Sequence, residues 1–156
     1  MSRWARGEAV IEQLVAHREL EAVTGAEADG IPLLAQARTT AATAAGLVSV
    51  DTYSAYILAY DAARFACIAL LAQQGLRATS GGHYAVERAV RAQFGEVFRP
   101  FADLRRRRNE LGYPHLPADA ATAEEAKEAV EVAQQLIAVA GQLLDQLSFF
   151  AQPQRP

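Results

Sequence analysis

Asp51-Thr52-Tyr53-Ser54-Ala55-Tyr56-Ile57-Leu58-Ala59-Tyr60-Asp61-Ala62-Ala63-Arg64-Phe65-Ala66-Cys67-Ile68-Ala69-Leu70-Leu71-Ala72-Gln73-Gln74-Gly75 is the stretch that decides the fold. At helical spacing one face carries Tyr53, Tyr56, Ile57, Tyr60, Cys67 and Leu71, and the opposite side carries Leu58, Ala62, Phe65 and Ala69. A helix that is apolar nearly all round is buried on both sides. Asp51 is a natural N-cap, and Gly75 a natural stop. The spacing therefore predicts a long helix over 52–74, central to a bundle or also part of a subunit interface. Asp61 and Arg64 are its only charged residues past the cap, one turn apart.

The flanking sequence reads as further helices. Residues 3–24 place Trp4, Val10, Ile11, Leu14, Val15 and Leu20 at helical spacing ahead of Gly25. Asp29 and Pro32 mark the start of a helix running to about Ala45. After the turn Thr79-Ser80-Gly81-Gly82 a helix is predicted from His83 to Phe98, and Pro100 starts another that Gly112 and Pro114 end. Thr122 with Glu125 is a capping box opening a last helix to about Phe149, with Val130, Ala133, Ile137, Ala140, Leu144 and Leu147 facing inward. Strand signals are absent. The expected fold class is all-α, an antiparallel bundle of about five to six helices. It forms a single domain over 1–156, with a core at about 31–147, an extra N-terminal helix in 1–25 and a tail at 150–156.

Composition narrows the function classes. With 51% hydrophobic and 21% charged residues the chain suits a soluble globular domain. No uninterrupted apolar run approaches the roughly 18 residues of a membrane span. The start of the chain has no apolar signal core, so a cytoplasmic location without membrane association is expected. One cysteine, Cys67, excludes an internal disulfide and a multi-cysteine zinc site. It lies on the apolar face and reads as a small hydrophobe. No Gly-rich phosphate loop and no His–carboxylate metal spacing is present, so no cofactor or metal is expected.

Net charge is −3, but it is unevenly spread. Residues 77–108 hold 8 basic and 3 acidic groups, while 1–76 hold 5 and 8, and 109–156 hold 2 and 7. The basic centre either faces an anion or is neutralised by its flanks within the fold.

Within that centre, Phe101, Leu104 and Leu111 form a narrow apolar stripe with Arg108 in its middle. A guanidinium there costs several kcal/mol in desolvation unless something pairs with it. Either a buried carboxylate, with Asp61 the obvious choice, or an anionic ligand answers it. Arg105 borders the stripe and can serve the same ligand, and Arg64 lies near the middle of the central helix's main face. Arg106 and Arg107 point away and are expected to be solvated. His17 and His83 read as surface or capping residues. Arg108, Asn109 and His115 together match what metal-free cleavage of RNA requires. That reaction needs a fixed cation on the phosphate and a group able to move a proton near neutral pH. The alternative is a structural Arg108–Asp61 pair with His115 in a surface turn.

Two segments carry a family resemblance. Ala55 to Ala66, followed by Ala69 to Arg77 and Gly82-His83, resembles the central helix of HEPN (higher eukaryotes and prokaryotes nucleotide-binding) domains. Leu104-Arg105-Arg106-Arg107-Arg108-Asn109 through Tyr113-Pro114-His115 resembles their Arg-polar-spacer-His motif. The match covers roughly 31–147 and leaves the first helix outside. The resemblance implies a helical bundle, usually homodimeric, with two motif copies facing each other. Many members are metal-independent ribonucleases, often bacterial toxins or defence proteins paired with a nucleotidyltransferase antitoxin. It implies Arg108 as phosphate ligand, His115 as acid/base, Asn109 as their support and Asp61 as the participating acid. Tyr113, with Arg64 and Arg105, completes the binding candidates. In the related Arg-Asn-spacer-Tyr-Pro pattern Arg108, Asn109 and Tyr113 are structural and the domain is a non-catalytic module for nucleotide, RNA or protein.

Overall fold

In the computed structural model, which describes residues 2–82, 84–113 and 119–151, α3 (Thr52–Gln73) is the central helix. It is preceded by α1 (Glu8–Ala16), β1 (Leu20–Ala22) and α2 (Ile31–Leu47), and followed by β2 (Leu76–Ala78), α4 (Ala85–Phe94), α5 (Arg99–Gly112) and α6 (Ala123–Leu144). The fold is all-α apart from the small β1–β2 ribbon. Helix α3 packs against α2, α6, α5, α4 and β2, while α2 and α6 also touch each other. Its length and hydropathy would also allow it to cross a bilayer, but its surface is mostly spent on these neighbours.

Local chemistry sets the element ends. The Asp51 carboxylate accepts from the Ser54 backbone N–H at 3.0 Å and from its hydroxyl at 2.6 Å. These bonds hold the carboxyl below its usual range. Thr122 and Glu125 form the reciprocal capping box that opens α6. Asp29 accepts from the Ile31 N–H at 3.0 Å, and Pro32 lies in the first turn of α2. The turn 48–51 joins α2 to α3, which forces the two helices antiparallel. Small side chains line them, with Ala37, Ala41 and Ala44 buried on α2 and Ala59, Ala62, Ala63 and Ala66 on α3. Phe98 and Phe101 are fully buried at the α5 end of the core. Each contributes about 1.5–3 kcal/mol by burial.

The structure departs from the sequence reading at three places. The predicted helix over 1–25 covers only Glu8–Ala16. The chain then extends, and Leu20–Ala22 pairs antiparallel with Leu76–Ala78, with Leu20 opposite Ala78. The predicted helix 83–98 breaks at Gly95, whose φ of +80° ends α4. A side chain there would meet the Arg6 guanidinium at 2.6 Å. Helix α6 ends at Leu144 rather than near Phe149, although Leu147 and Phe150 remain buried.

The end of α3 is a junction. Gly75 adopts φ +70°, and a side chain there would come within 2.8 Å of the Phe149 ring. Its carbonyl accepts from Val23, and the Gln74 carbonyl accepts from Phe150. The Gln74 and Gln93 side-chain amides, both fully buried, bond each other twice at 2.9 and 2.7 Å. Gln74 also donates to the Leu70 carbonyl, and the Trp4 indole donates to the Gln93 carbonyl. This polar lock partners both the Gln74 and the Gln93 side-chain amides and fixes α4 on α3, which in turn sets the position of α5.

Candidate anion-binding site

Helix α5 carries four consecutive arginines, and the fold gives each a different fate. The Arg105 Nε donates to Glu87 of α4 at 2.5 Å, and its guanidinium lies 4.6 Å from the centre of the Tyr84 ring. Both members of that ion pair are largely buried, at 20% and 17% side-chain exposure. Arg106 pairs with Asp103 in solvent.

Arg107 was expected to be solvated and is instead the most committed of the four. Its Nε and Nη2 donate to the Glu125 carboxylate at 2.7 and 3.0 Å, its Nη1 to Glu110 at 3.1 Å and its Nη2 to the Asp119 carbonyl at 3.1 Å. These bonds raise the Arg107 pKa further and hold the Glu125 carboxyl below its ordinary range. The capping box of α6 explains the correction. It fixes Glu125 across from α5, on the face that an apolar stripe count treats as empty.

Arg108 is half-buried rather than sunk in the core, although Phe101, Leu104 and Leu111 on its stripe are buried. It forms no hydrogen bond or ion pair with another described residue. The expected structural partner, Asp61, sits instead 3.8 Å from Arg64 on its own helix, with both side chains more than a third exposed. The Arg64 guanidinium also lies 5.2 Å from the Phe65 ring centre. No Arg108–Asp61 pair exists.

Around Tyr60 these charges converge. The ring stacks parallel on Phe101 with centroids 5.7 Å apart. Burial raises the hydroxyl pKa, while Arg64, Arg105 and Arg108 oppose the rise and Asp61 adds to it. The structure thus brings together three of the candidates, Asp61, Arg64 and Arg105, while the Arg108 guanidinium lies toward Gly112 on its own helix. Beside them lies a cavity of about 380 Å³. Its apolar wall is Tyr60, Ile68, Val86 and Phe101, and its polar rim includes Arg64, Arg77, Arg105, Glu87, Thr79 and Ser80.

No family model, curated protein or solved structure matches the chain.

Asn109 and Tyr113 are not part of this cluster. Both are exposed and line a separate hollow of about 440 Å³ with Arg107, Glu110 and Asp119. His115 lies outside the described residues. Tyr60, Arg77 and Glu87 escaped the sequence reading. Tyr60, one helical turn before Arg64, carried a usable signal. Glu87 and Arg77 carried none, because tertiary packing alone brings α4 and β2 to this cavity. Cys67 is buried on α3 and its thiol pKa is pushed up by burial, which leaves it protonated and inert.

Proposed function

We propose that this chain is a HEPN-type, metal-independent ribonuclease that acts as a homodimer. One observation supports the reading most strongly. Arg108, alone among the four arginines of its run, has no carboxylate partner among the described residues. A guanidinium so placed offers paired donors to a phosphate oxygen. In the reaction, the 2′-oxygen loses its proton to a base and bonds to phosphorus. The 5′-oxygen leaves with a proton from an acid, giving a 2′,3′-cyclic phosphate and a free 5′-hydroxyl. His115 is the group able to move these protons, and two copies in a dimer supply both base and acid. Arg64 and Arg108 hold the phosphate charge, while Arg105, tied to Glu87, steadies that face. A role as a bacterial, cytoplasmic toxin or defence protein, held in check by a nucleotidyltransferase antitoxin, follows from the same reading.

A second reading is favoured by Asn109. It opens toward a hollow that also holds Glu110 and Asp119, away from the arginine cluster. On that basis the chain is a non-catalytic module that binds a nucleotide, RNA or a partner protein. Digestion and binding of labelled single-stranded RNA by the wild type, Arg108→Ala and His115→Ala separate the readings. A ribonuclease loses cleavage but not binding in His115→Ala, and loses both in Arg108→Ala. Binding that depends on Arg108 without any cleavage by the wild type supports the module. Absence of both refutes the phosphate site.

A further inference from the structure

The cavity beside Tyr60 contains something a simple phosphate site should exclude. Glu87 places a carboxylate at its rim, and a carboxylate repels a phosphate. The side chain is fixed, because Arg105 holds one oxygen at 2.5 Å and is itself held over the Tyr84 ring. The other oxygen, Oε1, forms no hydrogen bond with a described residue. A rigid carboxylate with Oε1 free and a second lone pair left on Oε2 calls for a ligand that donates twice from one edge.

Part of the lining is apolar, from Ile68, Val86 and Tyr60, and suits the face of a flat ring. The volume of about 380 Å³ lies within the range that holds small ligands. At the rim, Arg64 has Asp61 at 3.8 Å as its carboxylate contact, rests near the Phe65 ring and remains 40% exposed. One cavity therefore combines a ring-sized apolar wall, a fixed acceptor and an available cation.

Among the RNA bases, only guanine presents two adjacent donors on one edge, N1–H and the N2 amine. Adenine and cytosine offer one amine beside an acceptor nitrogen. Uracil offers one N–H between two carbonyls that would face the carboxylate. We propose that this cavity binds one unpaired guanosine of the RNA, with its base edge on Glu87 and its phosphate on Arg64, and so selects guanine next to the cleaved bond. The inference rests on the ribonucleic-acid reading above and adds to it the identity of the base.

The test uses the full chain carrying His115→Ala, so that binding is read without cleavage. Fluorescence anisotropy is measured with uridine-rich octamers holding one guanosine, inosine, adenosine or cytidine. The guanosine octamer is expected to bind about tenfold or more tighter than the adenosine and cytidine octamers, as a good two-bond contact allows. Inosine, which lacks the N2 amine, is expected to fall between. In Glu87→Gln the guanosine and adenosine octamers should bind within about twofold of each other. Because Glu87→Gln also frees Arg105, Ile68→Phe serves as a second variant. It fills the cavity without touching the ion pair and should level the preference too. Equal binding of all octamers by the parent, a preference for adenosine or cytidine, or a guanosine preference that survives both variants overturns the base assignment while leaving the ribonuclease reading intact. No binding of any octamer overturns both.

Discussion

Arg107 and Arg108 are neighbours of identical chemistry, and truncating each should have opposite consequences. Arg107 makes two bonds to Glu125, one to Glu110 and one to the Asp119 carbonyl, and its side chain is 24% exposed. Hydrogen bonds to a charged group contribute about 1.5–3 kcal/mol when sheltered. Exposed pairs contribute about 0.2–1 kcal/mol. Glu125 is 34% exposed and Glu110 64%, so the Glu125 pair lies between these limits and the Glu110 contact near the lower one. Arg107→Ala should then cost about 2 kcal/mol, and for a domain of this length that lowers Tm by about 4–8 °C. Arg108→Ala removes no described partner, and alanine regains a few tenths of a kcal/mol in helix propensity. Its Tm should lie within about 2 °C of the wild type, while its affinity for single-stranded RNA falls. Melting followed by circular dichroism, with anisotropy on the same samples, gives both readouts. In about 1 M salt the Arg107 effect should shrink. If Arg108→Ala melts as early as Arg107→Ala, Arg108 is a structural cation and the phosphate assignment fails.

Two further outcomes test the fold that carries the site. Gln74→Leu alone leaves the buried Gln93 amide without its partner and should cost about 1–3 kcal/mol, whereas Gln74→Leu with Gln93→Leu should recover part of that loss. Denaturant melts that show the two changes simply adding would refute the reciprocal lock. The Glu125 carboxyl, held below its ordinary range first by Arg107 and then by the Thr122 N–H, binds protons less readily folded than unfolded. Its contribution is therefore complete above the unfolded glutamate value of about 4.3 and fades as pH falls below it. The Tm difference between wild type and Glu125→Gln, which keeps the capping geometry, should be constant from pH 7 to about 5 and shrink progressively as pH falls below about 4. A difference that does not shrink at all between about pH 5 and about pH 2 excludes this linkage.

What could be read from the chain divides by the range of the forces involved. Helix boundaries set by neighbours in sequence were legible. Asp51 with Ser54, Thr122 with Glu125, and Pro32 all act within one turn. The central helix was legible because its composition leaves it no solvent face. The β1–β2 ribbon was not, since three residues a side carry no periodicity and Leu20 could equally continue a helical pattern. Gly95 gave no warning either, because one glycine within a helical run is tolerated until Arg6 packs over it.

The arginine run shows the same division within a single turn of helix. A stripe count asks which residues share a face with Phe101 and Leu104, and it singles out Arg108. It cannot say where the carboxylates are, because Glu87 and Glu125 come from α4 and α6. Four identical side chains were therefore read by orientation alone, while their actual roles follow from the distribution of partners. Glu125 claims Arg107, Glu87 claims Arg105, Asp103 claims Arg106, and Asp61 turns to Arg64 on its own helix. Arg108 stands out by remainder. A sequence reader who first placed the capping-box glutamate opposite α5 would have assigned Arg107 to the fold, and reached Arg108 as the functional candidate by subtraction rather than by its apolar neighbours.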